Sequence, residues 1–395
     1  MRKPRLAVVS PFLDKRHGTE RRVAEWISRL DEDFEIHVYS QRVEDIDLKK
    51  IKWHRIPKIP GPHLANFLWW FGANHLWRWW DRRFRGLDPD LVFTPGTNCL
   101  DADAVSVHVV FAEFYRQIRP KLRFRNNVIW FWPRLLHRRI YYWLVIFLER
   151  KIYSNPRISL IPIARKTAAN LQRLYGRNGN LPVVYLGLDH AKFNPEVRQR
   201  LRSESRKQLG LGDGRFVLLL IGNDWMLKGL PALLDALQKL RDLPVCLLVA
   251  GKDDLLPYKK RLQEYSLEER VRFLPSRPDV EFYYAAADAY VGPSLEDAFA
   301  QPPAEAMACG LPVITSITMG ASEIIHDGLD GLILREPTNV EDLAAKIRLL
   351  WSDAELRSRL GVRAAQTTQQ YTWDRNGQEI RAILQGVLRS KGFSG

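Results

Sequence analysis

The sequence predicts an α/β protein made of two Rossmann-like, doubly wound domains that face a central cleft. Two observations lead to this prediction. Short apolar segments alternate with amphipathic segments along the chain, as in parallel sheets whose two faces are covered by helices. The length of 395 residues is also large for one hydrophobic core, so two cores are expected.

The first alternation occupies the N-terminal half of the chain. The run RLAVVSPF at residues 5–12 is too short and too interrupted for a signal peptide, so we interpret it as a buried strand. Residues 19–30 predict an amphipathic helix, and its apolar face comprises Val23, Trp26, Ile27 and Leu30. Further strands of this half are expected at residues 34–40, 91–96, 104–111, 158–164 and 181–188.

A second alternation follows a proline-containing linker. Each of its strands is a nearly continuous apolar run, as expected when both faces of a parallel sheet are buried. These strands are expected at residues 215–223, 245–251, 271–275, 289–294 and 312–316. We place the N-terminal domain at residues 1–195 and the C-terminal domain at 196–372, with a helix at 373–392 packed back on the first domain.

Composition limits the class of protein. The hydrophobic fraction of 46% and the charged fraction of 27% are those of a globular protein. The three cysteines form neither a CxxC pair nor an even disulfide set, which indicates a reducing compartment. No apolar stretch reaches the roughly 20 residues that span a bilayer, so we expect a protein that does not cross a membrane.

The net charge of +15 is concentrated in two segments rich in Trp and Arg. No acid lies between Glu113 and Glu149, and this segment interleaves arginines with aromatic residues. Residues 66–85 place Trp69, Ala73, Leu76, Trp80 and Phe84 on one helical face and Arg78, Arg82 and Arg85 on another. Such helices favour an anionic phospholipid surface, where rings sit at headgroup depth. The alternative is that they pack on the sheet with their arginines solvated.

Two loops follow strands and precede helices, where ligands of doubly wound sheets bind. In KRHGTER, residues 15–21, Gly18 suits a tight turn and Thr19 suits a helix cap, although an ordinary turn fits equally well. In IGNDWMLKGL, residues 221–230, Lys228 lies where an ammonium and a helix N-terminus together hold a pyrophosphate. A solvated lysine is the alternative reading of that loop.

Three further side chains are candidates for chemistry. Asp297 and Glu305 lie on either side of a turn that leads into an Ala-rich helix, a place suited to hydroxyl-rich ligands. His108, within the expected strand 104–111, is a candidate for proton handling or for a buried structural role. The pair Asp101 and Asp103 resembles a metal motif, but the same pattern recurs by chance along the chain, so no metal site is predicted.

These motifs together resemble the retaining GT-B glycosyltransferases of family 4. The resemblance rests on HGTER, VVYLGLDHAKFNP, GNDWMLKG and, most specifically, PSLEDAFAQPPAEAMACGLPVI. It implies that a hexose is transferred, with retention, from a nucleotide-diphosphate sugar such as a UDP- or GDP-hexose. The nucleotide sugar is then a substrate, and neither a cofactor nor a metal is implied. The second domain binds the donor, and the first faces the acceptor.

The resemblance also implies roles for individual residues. Asp297 contacts the donor sugar and supports charge at the anomeric carbon. His108 is the second catalytic candidate, from its position near the end of a strand rather than from the resemblance. The remaining donor-binding residues are Gly18, Asn223, Lys228, Phe299, Ala300 and Glu305, with Glu305 on the ribose. The sequence departs from the family where Asp297 replaces a glutamate, where Ala298 and Ala300 replace glycines, and where Asn223 stands in place of an arginine.

The expected acceptor is a glycan or glycolipid of the lipopolysaccharide type, at the cytoplasmic face of the inner membrane. A nucleotide-sugar epimerase or a sugar phosphorylase on the same fold is an alternative, distinguished by whether a second sugar substrate is required. A basic nucleic-acid-binding protein is an alternative of another class. It leaves Asp297 and Glu305 unexplained, so no nucleic acid partner is predicted.

Overall fold

The computed structural model describes residues 2–15, 18–119, 132–212 and 214–393. The chain divides into two compact units. Unit 1 comprises Met1–Tyr185 and Asp374–Gly395, and unit 2 comprises Leu186–Trp373. The boundary between the units therefore lies at Tyr185–Leu186, earlier in the chain than the boundary at residue 195 that the sequence predicts. Part of the predicted basic and aromatic segment, including Lys121, Arg123, Arg125, Trp130 and Phe131, lies outside the described residues.

The sheet of unit 1 is parallel. Its strands in chain order are β1 (Arg5–Val9), β3 (Glu35–Ser40), β5 (Lys52–Arg55), β6 (Leu91–Pro95), β7 (Ala104–Val107) and β8 (Ser159–Pro162), while β2 (Phe12–Leu13) and β4 (Arg42–Val43) pair separately. The spatial order is β5-β3-β1-β6-β7-β8. The central strands are almost entirely buried, which explains their continuous apolar runs.

Helices cover both faces of this sheet. They are α1 (Gly18–Leu30), α2 (His63–Arg85), α3 (Phe111–Ile118), α4 (Trp132–Tyr153) and α5 (Arg165–Tyr175). The predicted apolar face of α1 is buried against Leu6 and Val8 of β1. On the opposite face, α2, α4 and α5 bury Trp70, Leu148 and Leu171. The helix α2 ends at Gly86, whose φ of 62° is favoured by glycine.

Unit 2 contains a second parallel sheet. Its strands are β9 (Phe216–Ile221), β10 (Val245–Ala250), β11 (Val271–Leu274), β12 (Ala289–Gly292), β13 (Val313–Ser316) and β14 (Leu332–Leu334). Their spatial order is β11-β10-β9-β12-β13-β14. Because the order reverses beside β9, the carboxyl ends of β9 and β12 flank a topological switch point, which is the usual ligand position in such sheets.

The helices of unit 2 are α6 (Pro195–Gln208), α7 (Leu230–Lys239), α8 (Leu256–Glu264), α9 (Glu281–Ala286), α10 (Gln301–Ala308), α11 (Val340–Ser352) and α12 (Ala354–Thr368). Asn194 caps α6, because its side chain accepts a hydrogen bond from the Val197 N–H at 2.7 Å. The core buries Leu233 of α7 and Leu360 of α12 beneath the sheet. These contacts hold the strand ends, and therefore the loops that follow them, in fixed positions.

The last helix, α13 (Trp373–Ser390), belongs to unit 1 apart from its first residue. Its residues Ile380, Leu384 and Leu388 join the same buried cluster as Trp26 of α1. The Trp26 indole N–H also donates to the Asn376 side chain. Unit 1 is thus built from two segments that are distant in sequence.

The structure corrects one predicted strand. Residues 181–188 form no strand, and only Leu188 makes an isolated bridge, to Thr372. Leu181, Val184 and Leu186 are nevertheless buried. The apolar pattern therefore reports burial correctly. The Val184 N–H donates to the Pro162 carbonyl oxygen at the end of β8 at 3.0 Å, but the segment forms no regular ladder with that strand.

Candidate functional site

In unit 2 the loop after β9 packs against the loop after β12. Gly229, the N-cap of α7, has a φ of 80°, and a Cβ atom built there would lie 2.0 Å from the Pro293 carbonyl oxygen. Only glycine fits so close an approach. The Leu295 N–H then donates to the Leu227 carbonyl oxygen at 2.8 Å. The sequence places Lys228 and Asp297 on these two loops, and the packing brings the loops together.

Lys228 and Asp297 are in direct contact. The Lys228 Nζ forms an ion pair with the Asp297 Oδ2, and the two side chains are only 17% and 18% exposed. The Lys228 side chain lies across Gly222, where an added Cβ would come within 2.7 Å of Lys228 Cε. The Lys228 N–H donates to the Asp224 carbonyl oxygen at 3.0 Å. The lysine is therefore held at both its backbone and its ammonium.

The loop after β13 fixes the backbone of Asp297. The Gly320 N–H donates to the Asp297 carbonyl oxygen at 3.1 Å, and Asp297 forms an isolated bridge with Met319. The Thr318 hydroxyl donates to the Ser294 carbonyl oxygen at 2.6 Å. Three loops at the carboxyl edge of the sheet thus define the position of this carboxylate.

Glu305 lies in α10 and is only 6% exposed. Its Oε2 accepts a hydrogen bond from the Tyr284 hydroxyl at 2.9 Å. Burial and the charge of Glu305 raise the pKa of Tyr284 well above its usual value, so the hydroxyl stays protonated and donates. Tyr284 thereby orients the carboxylate. Nothing in the sequence near Tyr284 indicates this pairing, because the two residues lie on different helices.

Asp297 and Glu305 act on a common neighbour, Tyr290 of β12. Burial and then the charges of Asp297 and Glu305 raise the pKa of Tyr290. Both carboxylates therefore lie near this buried ring.

The start of α10 carries two more of the predicted donor residues. Phe299 and Ala300 are buried, and Ala300 is the N-cap of the helix. The two residues after Gln301 are prolines, which have no N–H. The helix terminus therefore has fewer amide donors for an anion than a terminus without prolines, and Lys228 becomes the main candidate for holding a diphosphate.

Asn223, which replaces the family's arginine, has a structural partner. Its Oδ1 accepts a hydrogen bond from the Lys252 N–H at 2.8 Å and so ties the loop after β9 to the loop after β10. The Trp225 N–H donates to Asp253 across the same two loops at 2.6 Å.

In unit 1 the structure corrects the position of His108. The strand β7 ends at Val107, so His108 lies just beyond the strand rather than within it. Its Nε2 lies 3.0 Å from the Ser106 Oγ, and its Nδ1 lies 3.4 Å from the Thr19 Oγ1. Burial, and then the charge of Arg22, lower the pKa of His108 well below its usual value, so the ring is neutral at pH 7.

The loop before α1 also differs from the prediction. Gly18 is the first residue of α1, its φ is not in the left-handed region, and an added Cβ would meet nothing within 4 Å. No tight turn therefore requires this glycine. Thr19 lies inside the first turn and its hydroxyl faces His108, so it is not the helix cap. The predicted roles of both residues in a turn are wrong.

A cavity of about 410 Å³ opens at the carboxyl ends of the strands of unit 1. Thr19 and His108 line it together with polar and aromatic side chains that include Lys58, Asn66, Phe67, Trp70 and Tyr141. The Trp70 indole N–H donates to the Asn98 Oδ1 at 3.1 Å, which fixes one wall. Aromatic faces beside hydrogen-bonding groups suit a sugar-like molecule.

Glu149 of α4 anchors the segment that follows His108. Its two carboxylate oxygens accept hydrogen bonds from the Phe111 N–H at 2.6 Å and the Ala112 N–H at 3.0 Å. The Tyr175 hydroxyl donates to the same carboxylate at 2.7 Å. Glu149 is 0% exposed, and burial raises its pKa to about 7. It caps α3 from a distant helix, which the sequence gives no means of predicting.

Asp101 of the weak metal motif has a cationic partner. Arg78 binds it with two hydrogen bonds, of 2.6 and 2.8 Å. Among the residues that the structure describes, no group of His, Cys, Asp and Glu side chains is arranged to hold a metal ion.

The helix α2 does not have the two faces that the sequence predicts. Arg78 is only 4% exposed and Ala73 is buried, whereas Leu76, Trp79, Trp80 and Phe84 are each more than half exposed. Arg82 and Arg85 are exposed as expected. Helix α4 carries a second exposed apolar stripe, at Trp132, Leu136, Ile140, Trp143 and Phe147. In the described parts of the chain, no helix is long and apolar enough to cross a membrane.

Two parallel Rossmann-like sheets with flanking helices define the GT-B class of fold, which WaaG and sucrose-phosphate synthase share. Residues 202–367, within unit 2, match the family described as glycosyl transferases group 1. These residues contain Asn223, Lys228, Asp297 and Glu305. The segment that matches the family is therefore the one that carries the unit 2 site.

Three solved structures resemble the chain over almost its whole length. Sucrose-phosphate synthase from Thermosynechococcus elongatus has a TM-score of 0.77 at 19% identity, covering 98% of this chain and 100% of that one. WaaG, a glycosyltransferase involved in lipopolysaccharide biosynthesis, has a TM-score of 0.74 at 20% identity, with coverages of 96% and 100%. Anabaena HepE, in complex with UDP-glucose, has a TM-score of 0.70 at 20% identity, with coverages of 96% and 99%.

A relative by sequence is the D-inositol 3-phosphate glycosyltransferase of Jonesia denitrificans. It is 28% identical over 240 residues, which cover 58% of this chain and 56% of that protein. The chain thus spans about half the length of the relatives that it matches by sequence. The structural similarities establish the fold.

Proposed function

We propose that the protein is a retaining hexosyltransferase that uses a nucleotide-diphosphate sugar and needs no metal ion. The observation that carries this proposal is the pairing of Lys228 with Asp297 at the switch point of the second sheet. The donor carries a negative diphosphate and develops positive charge at its anomeric carbon during transfer. A cation and a carboxylate in contact are complementary to these two charges. The lysine suits the diphosphate, and the carboxylate suits the positive charge that develops at the anomeric carbon.

Donor binding rearranges the charges of this pair. When the diphosphate approaches, the Lys228 ammonium exchanges the Asp297 carboxylate for phosphate oxygens. Asp297 is then available to the sugar hydroxyls and to the oxocarbenium-like transition state. Because the carboxylate already occupies a fixed position, little reorganisation is required during the reaction. Lys228 also neutralises the leaving diphosphate, which is the task that a metal performs in other enzymes.

Glu305 is the proposed ribose ligand. A carboxylate accepts hydrogen bonds from two neighbouring hydroxyls, and Tyr284 holds one of its oxygens in place. The complex of HepE with UDP-glucose is consistent with a UDP-hexose donor for this fold. A GDP-hexose is the second donor to test.

Unit 1 is the proposed acceptor domain. Its cavity offers aromatic faces and hydrogen-bonding groups, and the neutral His108 ring at its wall can accept or donate a hydrogen bond to a hydroxyl. The proposed acceptor is a glycan or glycolipid. This proposal draws support from WaaG, which acts in lipopolysaccharide biosynthesis.

The exposed stripes of α2 and α4 are the proposed contact with a membrane surface. Both helices present Trp side chains to solvent, and exposed arginines lie beside them on α2. Rings at headgroup depth and cations against anionic lipid are complementary to a bilayer of negative charge. We therefore place the protein on the cytoplasmic face of the inner membrane, where a lipid-linked acceptor is presented.

Nucleotide binding and turnover of the full chain test the proposal. Isothermal titration with UDP and GDP should give binding to one of them, and Lys228→Ala and Glu305→Ala should each weaken it. Lys239→Ala, at the far end of α7, is the matched control. Binding without any sugar transfer, combined with interconversion or phosphorolysis of the sugar, would favour an epimerase or a phosphorylase. No nucleotide binding by the folded wild type would refute the proposal.

A further inference from the structure

Two side-chain amides in the wall of the unit 1 cavity each have a buried atom that makes no hydrogen bond. Gln41 and Asn66 both line this cavity. Within the described part of the chain, the Gln41 Nε2 and the Asn66 Oδ1 have no hydrogen-bonding partner. Leaving a buried amide atom unpaired is unfavourable, because it has lost its bonds to water and gained none from the protein. Two such atoms in the wall of one cavity indicate a ligand that completes their hydrogen bonds.

Asn66 presents a hydrogen-bond acceptor. It lies in the first turn of α2, and its Nδ2 donates to the carbonyl oxygens of Gly61 at 2.9 Å and Pro62 at 3.4 Å. A flipped amide would turn its oxygen toward these two carbonyl oxygens, which offer no proton. The orientation of the amide is therefore determined by its nitrogen. The Oδ1 is the atom left for a ligand, and it can only accept.

Gln41 presents a hydrogen-bond donor. It directly follows β3, at the carboxyl edge of the sheet, where ligands of doubly wound sheets bind. Its backbone N–H donates to the carbonyl oxygen of Pro11 at 3.0 Å, and Pro11 also lines the cavity. The Nε2 carries two N–H groups and can only donate. The wall thus offers a donor from the end of a strand and an acceptor from the start of a helix.

Aromatic rings form an apolar surface in the same cavity. The Tyr141 ring lies edge-on to the rings of His63 and Phe67, with distances of 4.7 and 5.5 Å between ring centres. All three side chains line the cavity. Such a surface suits the C–H groups of a cyclic polyol, whose hydroxyls then reach the few polar groups around it.

The charges around the cavity do not favour an ion. Of the described residues that line it, Glu20 and Lys58 carry opposite charges, and His108 is neutral at pH 7 because burial lowers its pKa. An anion would be repelled by the Asn66 Oδ1, and a cation by the N–H groups of Gln41. A neutral hydroxyl satisfies both amides, because it donates one hydrogen bond and accepts others.

We propose that Gln41 and Asn66 determine the specificity of the cavity by binding the hydroxyls of a neutral sugar ring. The Gln41 Nε2 donates to a hydroxyl oxygen, the Asn66 Oδ1 accepts a hydroxyl proton, and the ring lies against Tyr141. This inference rests on the proposed acceptor role of unit 1. It deepens that role, because it names the uncharged polyol class of the bound group and the two residues that select it.

Direct binding of simple sugars to the full chain tests the inference. Saturation-transfer NMR titrations with the methyl glycosides of glucose, galactose and mannose should show binding of at least one of them. Gln41→Met should weaken that binding about three- to tenfold, the range for one neutral hydrogen bond. Methyl glucuronide and glucose 6-phosphate are the charged probes. A wild type that binds only the charged probes, or none of the five, would overturn the inference.

A matched control and a stability measurement separate binding from folding. Gln172→Met makes the same change outside the cavity, where the Gln172 Nε2 donates to the Gly179 carbonyl oxygen at 3.2 Å. It should bind the sugar as the wild type does. Gln41→Met should melt at the same temperature as the wild type or higher, because an unpaired buried donor has been removed. A lower melting temperature with unchanged sugar affinity would make Gln41 a structural residue.

Deoxy analogues of the best glycoside identify the hydroxyl that is bound. A deoxy position that weakens binding to the wild type should cost Gln41→Met little further, since the variant has already lost that hydrogen bond. Every deoxy analogue losing as much affinity in Gln41→Met as in the wild type would show that Gln41 does not contact the sugar.

These experiments distinguish failure of the inference from failure of the proposed transferase. Sugar binding is measured without a nucleotide. A chain that binds a glycoside through Gln41, yet neither binds UDP or GDP nor transfers sugar, would uphold the inference and refute the transferase. A chain that transfers sugar with the same acceptor KM in Gln41→Met as in the wild type would uphold the transferase and refute the inference.

Discussion

Lys228 and Asp297, 69 positions apart in the chain, form an ion pair at the carboxyl edge of the second sheet. The pair couples the two halves of the proposed donor site, since the ammonium that would hold the diphosphate is held by the carboxylate that would face the sugar. Each partner therefore competes with a part of the substrate. Loss of the ammonium should weaken nucleotide binding, whereas loss of the carboxylate charge should not.

Lys228→Ala should weaken UDP or GDP binding by about 1.5–3 kcal/mol, the range for a hydrogen bond to a charged group. Asp297→Asn removes the competing charge and keeps the volume, so nucleotide affinity should be unchanged or higher while turnover falls. Titration calorimetry and a radiolabelled transfer assay measure the two quantities. Equal losses of affinity and turnover in Asp297→Asn would make Asp297 a binding residue only.

Tyr284→Phe removes the hydroxyl that orients Glu305. Because this hydrogen bond meets a charged acceptor, nucleotide affinity should fall by about 1–2 kcal/mol. The control is Tyr283→Phe, since the Tyr283 hydroxyl donates to the Pro275 carbonyl oxygen at 2.8 Å. A fall of the same size in the control would show that the tyrosines support the domain generally rather than Glu305.

Glu149 should make the stability of the protein depend on pH. Folding raises its pKa from 4.5 to about 7. Its contribution is therefore fully present below pH 4.5 and is lost as pH rises toward 7, because only the unfolded state then ionises freely. The loss amounts to about 3 kcal/mol at 1.36 kcal/mol for each pH unit. Urea unfolding of the wild type and Glu149→Gln from pH 5 to 8 should show diverging midpoints, and parallel profiles would contradict the assignment.

Membrane binding should depend on the arginines that are exposed in α2. Arg82 and its neighbour Arg83 are both exposed. Arg82→Glu with Arg83→Glu should release the protein from anionic vesicles at low salt, since each charge is worth about 1 kcal/mol at such a surface. Nucleotide affinity should not change. Trp79→Ala with Trp143→Ala should also release it, with weaker dependence on salt. A wild type that does not sediment with anionic vesicles would remove the lipid surface from the proposed function.

Arg78 is expected to have a structural role, in contrast to the exposed arginines of the same helix. It binds Asp101 and Asn74 in a nearly buried position. Arg78→Glu should therefore destabilise unit 1 by several kcal/mol, because it places a second carboxylate against Asp101. Thermal unfolding measures this effect, and an unchanged melting temperature would contradict it.

Burial explains which parts of the fold the sequence predicts. Strands such as β9 and β10 are buried on both faces, so their apolar runs are unambiguous. Residues 181–188 have a similar run but form no regular ladder with a strand, and a one-dimensional pattern does not distinguish the two cases. Arg78 is a second case that a one-dimensional pattern does not resolve. The pattern places it on the arginine face of the helix, but in the structure it is nearly buried and binds Asp101, which lies outside α2.

Residues of the candidate site can be predicted from the sequence where their position beside a single strand or helix is enough to indicate their role. Lys228, Asp297 and Glu305 each follow a strand or begin a helix, so local reasoning finds them. Tyr284 and Glu149 act through partners on other helices, and their roles appear only when the chain is folded.

The division of unit 1 between the two ends of the chain determines the order in which the protein can assemble on the ribosome. Synthesis completes unit 2 before Ile380, Leu384 and Leu388 are made, although these residues complete the core around Trp26. We therefore expect the nascent N-terminal segment to expose this apolar surface while the residues of unit 2 are being made. The later emergence of α13 then closes that surface.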